Sequence, residues 1–359
     1  MAEEARWAEQ NTNPERIEAA LRELLRERHA ANQTLAPARV LNLVVVIDRE
    51  WKGEIVNRLD GVGRYHASRT IVCEYEAGRH TIDATAVISG DASTDGSTGV
   101  LRETVEMYIG LQHLRRLDTV IDPVIVSELP TVLWSPHSLD EGVEALLGMI
   151  DVILIDSDDP AHFDGPAAGL SRAKELTEAV YVVDLAWLRT IPWRERLAAW
   201  FDAPSRRHEL ADLDRVTVRH QADSVVSALL LSGWLSSRLG WLPGALVPCG
   251  VGAREGAAVK NGSETPGVSV DFQFDPVDLP VRGIAGVTVG GAGGWEFSLD
   301  RRRGGMTARQ VDPGGVAREW HVLGASRGEG GILGEGVRQA LLRDPTYAPS
   351  LTMARRFCP

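Results

Sequence analysis

Lysine is nearly missing from this chain. Lys52, Lys174 and Lys260 are the only three in 359 residues, so arginine supplies almost all of the 38 basic side chains. Set against 50 aspartates and glutamates, these leave a formal net charge of −12. That balance excludes a general nucleic-acid binder, because phosphate affinity rests on a basic surface. Cysteine is equally scarce: Cys73, Cys249 and Cys358 are far apart and odd in number, with no C-x-x-C pair. No disulfide framework follows from such spacing. No apolar run approaches the roughly 20 residues that span a bilayer. The opening Met1-Ala2-Glu3-Glu4-Ala5-Arg6 is acidic where a secretory leader would be basic and then apolar. These features predict a cytoplasmic protein without a membrane partner.

The usual chemical motifs are missing as well. A phosphate-cradling G-x-G-x-x-G needs three glycines in register. Gly61-Val62-Gly63 meets His66 at the third position, Gly250-Val251-Gly252 meets Glu255, and Gly291-Ala292-Gly293 meets Glu296. No lysine lies in a G-x-x-x-x-G-K-[ST] loop. Gly324-Ala325-Ser326-Arg327-Gly328 matches the nucleophile elbow G-x-S-x-G, but that enzyme class places its histidine after the serine. His321 is the last histidine of the chain, so Ser326 has no base to follow it. The nine histidines show no H-E-x-x-H and no tetrahedral zinc spacing. Asp156, Asp158 and Asp159 follow an apolar run where a Mg²⁺ site is conceivable. A turn is the better reading of Asp156-Ser157-Asp158-Asp159-Pro160, because Asp and Ser bond their own backbone and Pro halts a strand. Arg301-Arg302-Arg303-Gly304-Gly305 reads as a solvated hairpin tip. No catalytic residue, cofactor or metal ligand is therefore assigned.

What is present is an ordinary globular composition, 44% hydrophobic and 25% charged, in a chain long enough for two domains. Pro14 to Asn32 has helical periodicity in Ile17, Leu21, Leu24, Leu25 and Arg28. Val40 to Ile47 is a nearly continuous apolar run, the pattern of a strand buried on both faces. Further strands are predicted at 70–75 and 81–88 as a hairpin, at 124–126, 132–134, 152–155 and 180–183. Helices are predicted at 51–59, 100–117, 139–149 and 166–178. This alternation argues for a mixed or mostly parallel sheet covered by helices. Residues 185–241 hold Trp187, Trp193, Trp200, Trp234 and Trp241, on helices predicted at 192–201 and 223–239 with a strand at 216–218 between them. Tryptophan at such spacing is more often core or interface than a ligand box. Asp223 is placed to cap the second helix. The last 117 residues carry 22 of the 36 glycines, and period-2 runs near 268–272, 284–289, 295–299, 306–311 and 316–322 predict a strand meander before a helix at 333–343. The expected fold is α/β: a helix-covered sheet domain over 1–185, then a second α+β domain over 186–359 with a glycine-rich antiparallel sheet.

Several segments carry a family resemblance. Ala38-Arg39-Val40-Leu41-Asn42-Leu43-Val44-Val45 looks like a first strand, His66-Ala67-Ser68-Arg69-Thr70-Ile71-Val72 resembles H-P-S-R-x-I-V, and Leu129-Pro130-Thr131-Val132-Leu133-Trp134-Ser135-Pro136 resembles L-P-x-x-x-W-W-P. Asp184-Leu185-Ala186-Trp187-Leu188-Arg189 followed by Pro192-Trp193-Arg194 is similar to D-L-x-W-x-R-x-x-x-W-R. Gly233 to Trp241 resembles G-W-L-A-S-R-L-G-W, and Asp344-Pro345-Thr346-Tyr347 a closing D-P-x-Y. These are the motifs of the OpcA family, the glucose-6-phosphate dehydrogenase assembly proteins. Ala67 and Ser135 depart from the family's proline and second tryptophan, and Ser135 would alter a surface if that tryptophan meets the partner.

The resemblance implies a non-catalytic protein that binds glucose-6-phosphate dehydrogenase, promotes its active form and supports NADPH production by the oxidative pentose phosphate pathway. Arg69, Asp184, Trp187, Arg189, Trp193, Arg194, Trp234 and Arg238 carry it most specifically. Arginine and tryptophan dominate interface hot spots, so these eight are candidate contact residues; the competing reading is that they brace the fold, with Asp184 pairing Arg189 or Arg194. The rival function is a sugar-phosphate-binding protein or enzyme with an arginine pocket around Arg69 and Arg194, since guanidinium forks suit phosphate.

Overall fold

The computed structural model of the chain describes residues 4–31, 35–37, 39–63, 68–91, 99–137, 139–260, 269–323 and 329–358. In chain order the first elements are β1 (Glu4–Thr12), α1 (Pro14–Ala31), β2 (Leu35–Pro37), β3 (Leu41–Asp48), α2 (Lys52–Gly63), β4 (Ser68–Tyr75), β5 (Ile82–Asp91) and β6 (Gly99–Ile109). There follow α3 (Leu111–Leu114), α4 (Leu117–Ile121), β7 (Thr131–Trp134), α5 (Asp140–Leu146), β8 (Val152–Ile155), α6 (Pro166–Ala179), β9 (Tyr181–Asp184), α7 (Leu185–Leu188), α8 (Ile191–Asp202) and α9 (Arg207–Asp212). The remainder holds β10 (Leu213–Gln221), α10 (Val225–Leu239), β11 (Trp241–Pro243), β12 (Val247–Pro248), β13 (Arg254–Lys260) and β14 (Ser269–Val277). It ends with β15 (Ile284–Gly291), β16 (Glu296–Arg302), β17 (Gly305–Val311), β18 (Ala317–Leu323), α11 (Glu329–Ala340) and α12 (Tyr347–Phe357). The protein is a mixed α/β fold with two mixed sheets.

Two compact units divide the chain. Unit 1 comprises Met1–Ile155, Ala179–Val183 and Glu329–Leu342. Its sheet runs β1-β5-β6-β4-β3-β7-β8-β9, with β2 beside β6. The centre is parallel: β3 pairs β4 and β7, β4 pairs β6, and β7 pairs β8 in that sense. Leu41 to Ile47 is buried throughout, as an inner strand covered on both faces requires. β5 and β1 are added antiparallel at one side. Helix α1 turns Ile17, Leu21 and Leu24 inward and leaves its charged face to solvent.

Unit 2 comprises Asp156–Glu178, Asp184–Gly328 and Arg343–Pro359. Its sheet runs β11-β13-β14-β10-β15-β16-β17-β18, with β12 beside β13. Only the β10–β14 pair is parallel among the described ladders of this sheet. Helices α10 and α12 pack on each other at close range. A Cβ on Gly233 would sit 2.3 Å from the Ser350 carbonyl oxygen, so the approach requires glycine there. Phe272, Phe274 and Phe357 form an aromatic core between strand and helix, with ring centroids 5.0–6.3 Å apart.

The structure corrects several expectations. Residues 100–117 are not a helix. Leu101, Glu103, Val105, Met107 and Ile109 are buried in alternation along β6, and helix begins only at Leu111. The period-2 signal is masked by Glu103, a charged residue buried at an apolar position. The turn after β4 is present, but β6 lies between β4 and β5, so they form no hairpin. Residues 124–126 form a turn rather than a strand, pinned by Asn42, whose side chain accepts from the Val126 N–H and donates to its carbonyl, both at 3.0 Å. Strands β1 and β13 and helix α12 are additions to the expected elements. The glycine-rich runs do form β14–β18, and the meander holds from β15 onward.

Candidate functional site

The densest polar constellation lies in unit 2, where the turn after β8 meets the start of α7 and the start of α10. Asp184 ends β9 and caps α7, its carboxylate accepting from the Ala186 N–H at 3.0 Å. The same carboxylate accepts from the Ser157 N–H at 3.2 Å, the Ser157 hydroxyl at 2.6 Å and the Tyr347 hydroxyl at 3.0 Å. Burial pushes the Asp184 carboxyl up to about 6, against the lowering effect of the Ser157 bond.

Asp158 does for α10 what Asp223 was expected to do. It accepts from the Val226 N–H at 2.7 Å, the Ser227 N–H at 3.1 Å and the Ser227 hydroxyl through a short contact. The helix's own N-cap residue, Ser224, makes no side-chain cap bond and instead accepts from the Gly283 N–H at 2.9 Å. Burial, and then the charge of Asp156, raise the Asp158 carboxyl to about 7. Asp156 behaves in the opposite way. Burial pushes its carboxyl up, but Arg189 and Arg282 together outweigh that and hold it below the usual range. The Arg189 fork is bidentate at 2.7 Å for both bonds, and Arg282 adds a contact at 3.3 Å. A Cβ on Gly169 of α6 would sit 2.3 Å from the Ser157 carbonyl oxygen, so this turn is packed as tightly as it is bonded. The turn reading of 156–160 therefore holds, and no metal-binding group of three side chains occurs among the described residues.

A second layer joins the tryptophan signature to the closing motif. The Trp187 indole donates to Asp344 at 2.9 Å, and Arg194 lies 3.6 Å above the Trp187 ring. Arg194 also donates to the Thr190 hydroxyl at 2.9 Å and sits 3.7 Å from Asp344. Burial draws the Arg194 guanidinium down to about 10, partly offset by Asp344. Thus D-L-x-W and D-P-x-Y, about 160 positions apart, form one structure through Asp184–Tyr347 and Trp187–Asp344.

The signature residues are distributed unevenly. Asp184, Trp187, Arg189 and Trp193 are buried, Arg194 is mostly covered, Trp234 is half-buried and Arg238 is exposed on the last turn of α10. Arg69 belongs to unit 1, where it is 2% exposed. It donates to Glu103 at 2.8 Å, Glu18 at 3.1 Å and the Val124 carbonyl at 2.7 Å. Arg69 and Arg194 are each engaged by bonds within their own unit. Asp184 pairs neither Arg189 nor Arg194, because Asp156 and Asp344 are nearer to those cations. Sequence reasoning missed Ser157, Ser227 and Arg282. The only available signal was their position in a polar turn, at a helix start and beside a glycine. Ser326 and Ala67 lie outside the described residues. Arg302 and Arg303 do form an exposed hairpin tip, whereas Arg301 turns back to donate to the Ile284 carbonyl at 2.9 Å.

Fold and site together define a two-unit α/β protein whose D-L-x-W and D-P-x-Y motifs are locked into one polar network inside unit 2. Two family models match the chain, described as the glucose-6-phosphate dehydrogenase subunit N-terminal domain over residues 60–175 and the C-terminal domain over 180–351. The chain belongs to the OpcA family. Relatives named OxPP cycle protein OpcA include one from Nostoc punctiforme, 35% identical over 41% of this chain and 32% of that protein. Another, from Synechocystis, is 31% identical over 36% of this chain and 28% of its own length. The chain thus matches about a third of the length of these relatives. A solved oxidoreductase from Sinorhizobium meliloti covers 88% of this chain and 94% of its own at 11% identity and a TM-score of 0.48, too distant to support any argument. Among the described residues, no helix is long and apolar enough to cross a membrane.

Proposed function

We propose that this chain is a non-catalytic assembly factor and allosteric activator that binds glucose-6-phosphate dehydrogenase in the cytoplasm and supports the oxidative pentose phosphate pathway. The observation that carries the reading is how the family's signature residues are used. Asp184, Trp187, Arg189 and Arg194 spend their polar groups on Ser157, Tyr347, Asp156, Thr190 and Asp344 inside unit 2, which supports a scaffold role rather than an open reaction site. The two matching domain descriptions name the dehydrogenase, and the relatives' names place them in the OxPP cycle. An activator of this kind works by binding one enzyme state more tightly than another and shifting the population by that difference.

Trp234 and Arg238 stand one helical turn apart on the half-exposed side of α10, so they are the signature residues available to a partner. Mixing the purified chain with its cognate dehydrogenase should give co-elution on size exclusion and a higher initial rate, with both saturating together. Trp234→Ala and Arg238→Ala should weaken binding by about 1–4 kcal/mol while leaving the melting temperature close to that of the parent. Failure to co-elute or to change the rate at micromolar concentrations would sink the proposal.

A further inference from the structure

The outer edge of unit 2's sheet is unusually open. β18 is the terminal strand, and the described residues supply no second strand to its outer side. Six of its seven residues are exposed, including Trp320 at 38% and Leu323 at 84%. Natural sheets blunt such edges with lysine, proline, a bulge or a covering element. β18 reads Ala317-Arg318-Glu319-Trp320-His321-Val322-Leu323, with neither lysine nor proline; its charges are one arginine and one glutamate, of opposite sign. Its register with β17 is unbroken from Gly305↔Leu323 to Val311↔Ala317, so no bulge bends it away.

We propose that β18 is a docking edge for a second copy of this chain, pairing antiparallel about a twofold axis at Trp320. The register follows from ladder geometry. Backbone N–H and C=O groups of alternate residues point to opposite sides of a strand. In an antiparallel pair, opposed residues must both point toward the partner or both away from it. When the two strands are identical, opposed positions must therefore share parity. Among such registers, the one that overlaps the whole of β18 opposes Trp320 with Trp320, Glu319 with His321, Arg318 with Val322 and Ala317 with Leu323.

The side chains suit that register. No like charges are opposed, and each Glu319 meets His321 of the second copy. On the other face, Trp320 meets its own counterpart, and Arg318 lies diagonal to the second copy's Trp320, within reach for a guanidinium over an indole. Trp320 is already steadied from within, its ring stacked 5.9 Å from Trp200 and 6.2 Å from Phe297, so little side-chain freedom is lost on pairing. The contact is isologous and closes at two copies.

Sedimentation of the whole chain in reductant, from 1 µM upward, should show a monomer–dimer equilibrium, and Trp320→Lys should weaken it at least tenfold. Because Trp320 also packs on Trp200, the exposed substitution Glu319→Arg is the companion variant; it should weaken the dimer without lowering the melting temperature. In a Cys249→Ser, Cys358→Ser background, Trp320→Cys should cross-link to dimer on oxidation. Val322→Cys alone should not, since two copies of residue 322 lie about 13 Å apart in this register. A chain that stays monomeric at several hundred micromolar overturns the proposal. So do a dimer indifferent to both β18 variants, cross-linking at 322 rather than 320, and a monomeric chain whose β18 pairs only with another protein. None of these outcomes depends on the dehydrogenase, so this test and that of the proposed function fail independently.

Discussion

Glu103 in unit 1 and the two residues Asp158 and Asp184 in unit 2 are buried carboxylates held in opposite ways. In unit 1, Glu103 sits on the inner face of β6 with a fully covered side chain and meets cations directly, Arg69 from β4 and Arg39 ahead of β3. In unit 2, Asp158 and Asp184 meet N–H and O–H dipoles from Val226, Ser227, Ser157, Ala186 and Tyr347, while the nearest cations are spent on Asp156. Around Asp158 and Asp184 the dipoles offset the cost of burial only in part, so the proton stays competitive there. Glu103 is thus held by cations, whereas Asp158 and Asp184 are held by dipoles and carry carboxyls that burial raises to about 7 and about 6.

The largest effect should come from removing a cation. Arg69→Ala leaves Glu103 buried with Arg39 alone and strips the bonds to Glu18 and the Val124 carbonyl. Breaking a buried pair by deleting one partner costs about 3–5 kcal/mol. Urea unfolding, followed where possible with probes placed in unit 1, measures it. A loss below about 1 kcal/mol would show that Arg39 suffices and would break the contrast.

Removing a dipole-solvated carboxylate should cost somewhat less. Asp158→Ala strands the Val226 and Ser227 N–H groups at the start of α10, together with one acceptor for the Ser227 hydroxyl, which retains the Ala186 carbonyl at 3.2 Å. Loss of a cap and exposure of buried unpaired donors together amount to about 2–3 kcal/mol. Unfolding of this variant beside Arg69→Ala would rank the two kinds of burial directly. Equal losses would argue that the dipoles hold their charge as firmly as arginine does.

The pattern of what could be read from the chain follows the same physics. β3 is legible because six of its seven consecutive buried residues are apolar, although the seventh, Asn42, finds its partners 84–89 positions away. β6 is not, because Glu103 breaks its alternation and only partners 34 and 64 residues away, Arg69 and Arg39, explain it. β1, Glu4–Thr12, carries charge on both faces at a sheet edge, so no period shows. At the candidate site, the signature motifs mark Asp184, Trp187, Arg189 and Arg194 without revealing their partners. Asp158 is the clearest gap: a cap supplied from 68 positions away leaves no local trace, whereas Asp223 beside the helix looks suitable and is not used.

A pH series sharpens the contrast further. Asp158 and Asp184 have carboxyls raised to about 7 and about 6, above an ordinary value of 3.8. Between those limits the folded chain binds more protons than the unfolded chain, so these groups make stability fall as pH rises toward 7 and level off above it. Each can contribute a slope on the order of 1 kcal/mol per pH unit within its window. Asp158→Asn should flatten the fall between pH 5 and pH 8 while lowering stability at pH 5. An unchanged slope in that variant would mean that Asp158 is ionised throughout, as a cation-paired carboxylate would be.

The smallest effect isolates burial of the cation while holding its partner constant. Glu18 on α1 bonds two arginines: Arg69 at 3.1 Å, whose side chain is 3% exposed, and Arg22 at 2.9 Å, whose side chain is 67% exposed. The Arg22 pair spans one helical turn and lies open to water and salt. Exposed pairs of that kind contribute about 0.3–0.5 kcal/mol, because solvent competes for both charges and two long side chains must be held in place. Arg22→Ala should therefore shift the urea midpoint barely beyond measurement, and 0.5 M NaCl should erase what difference remains. Arg69→Ala should keep most of its effect in the same salt. A matching loss from both variants would show that α1 depends on the charge of Glu18 itself, and the distinction between buried and exposed cations would then fail at this carboxylate.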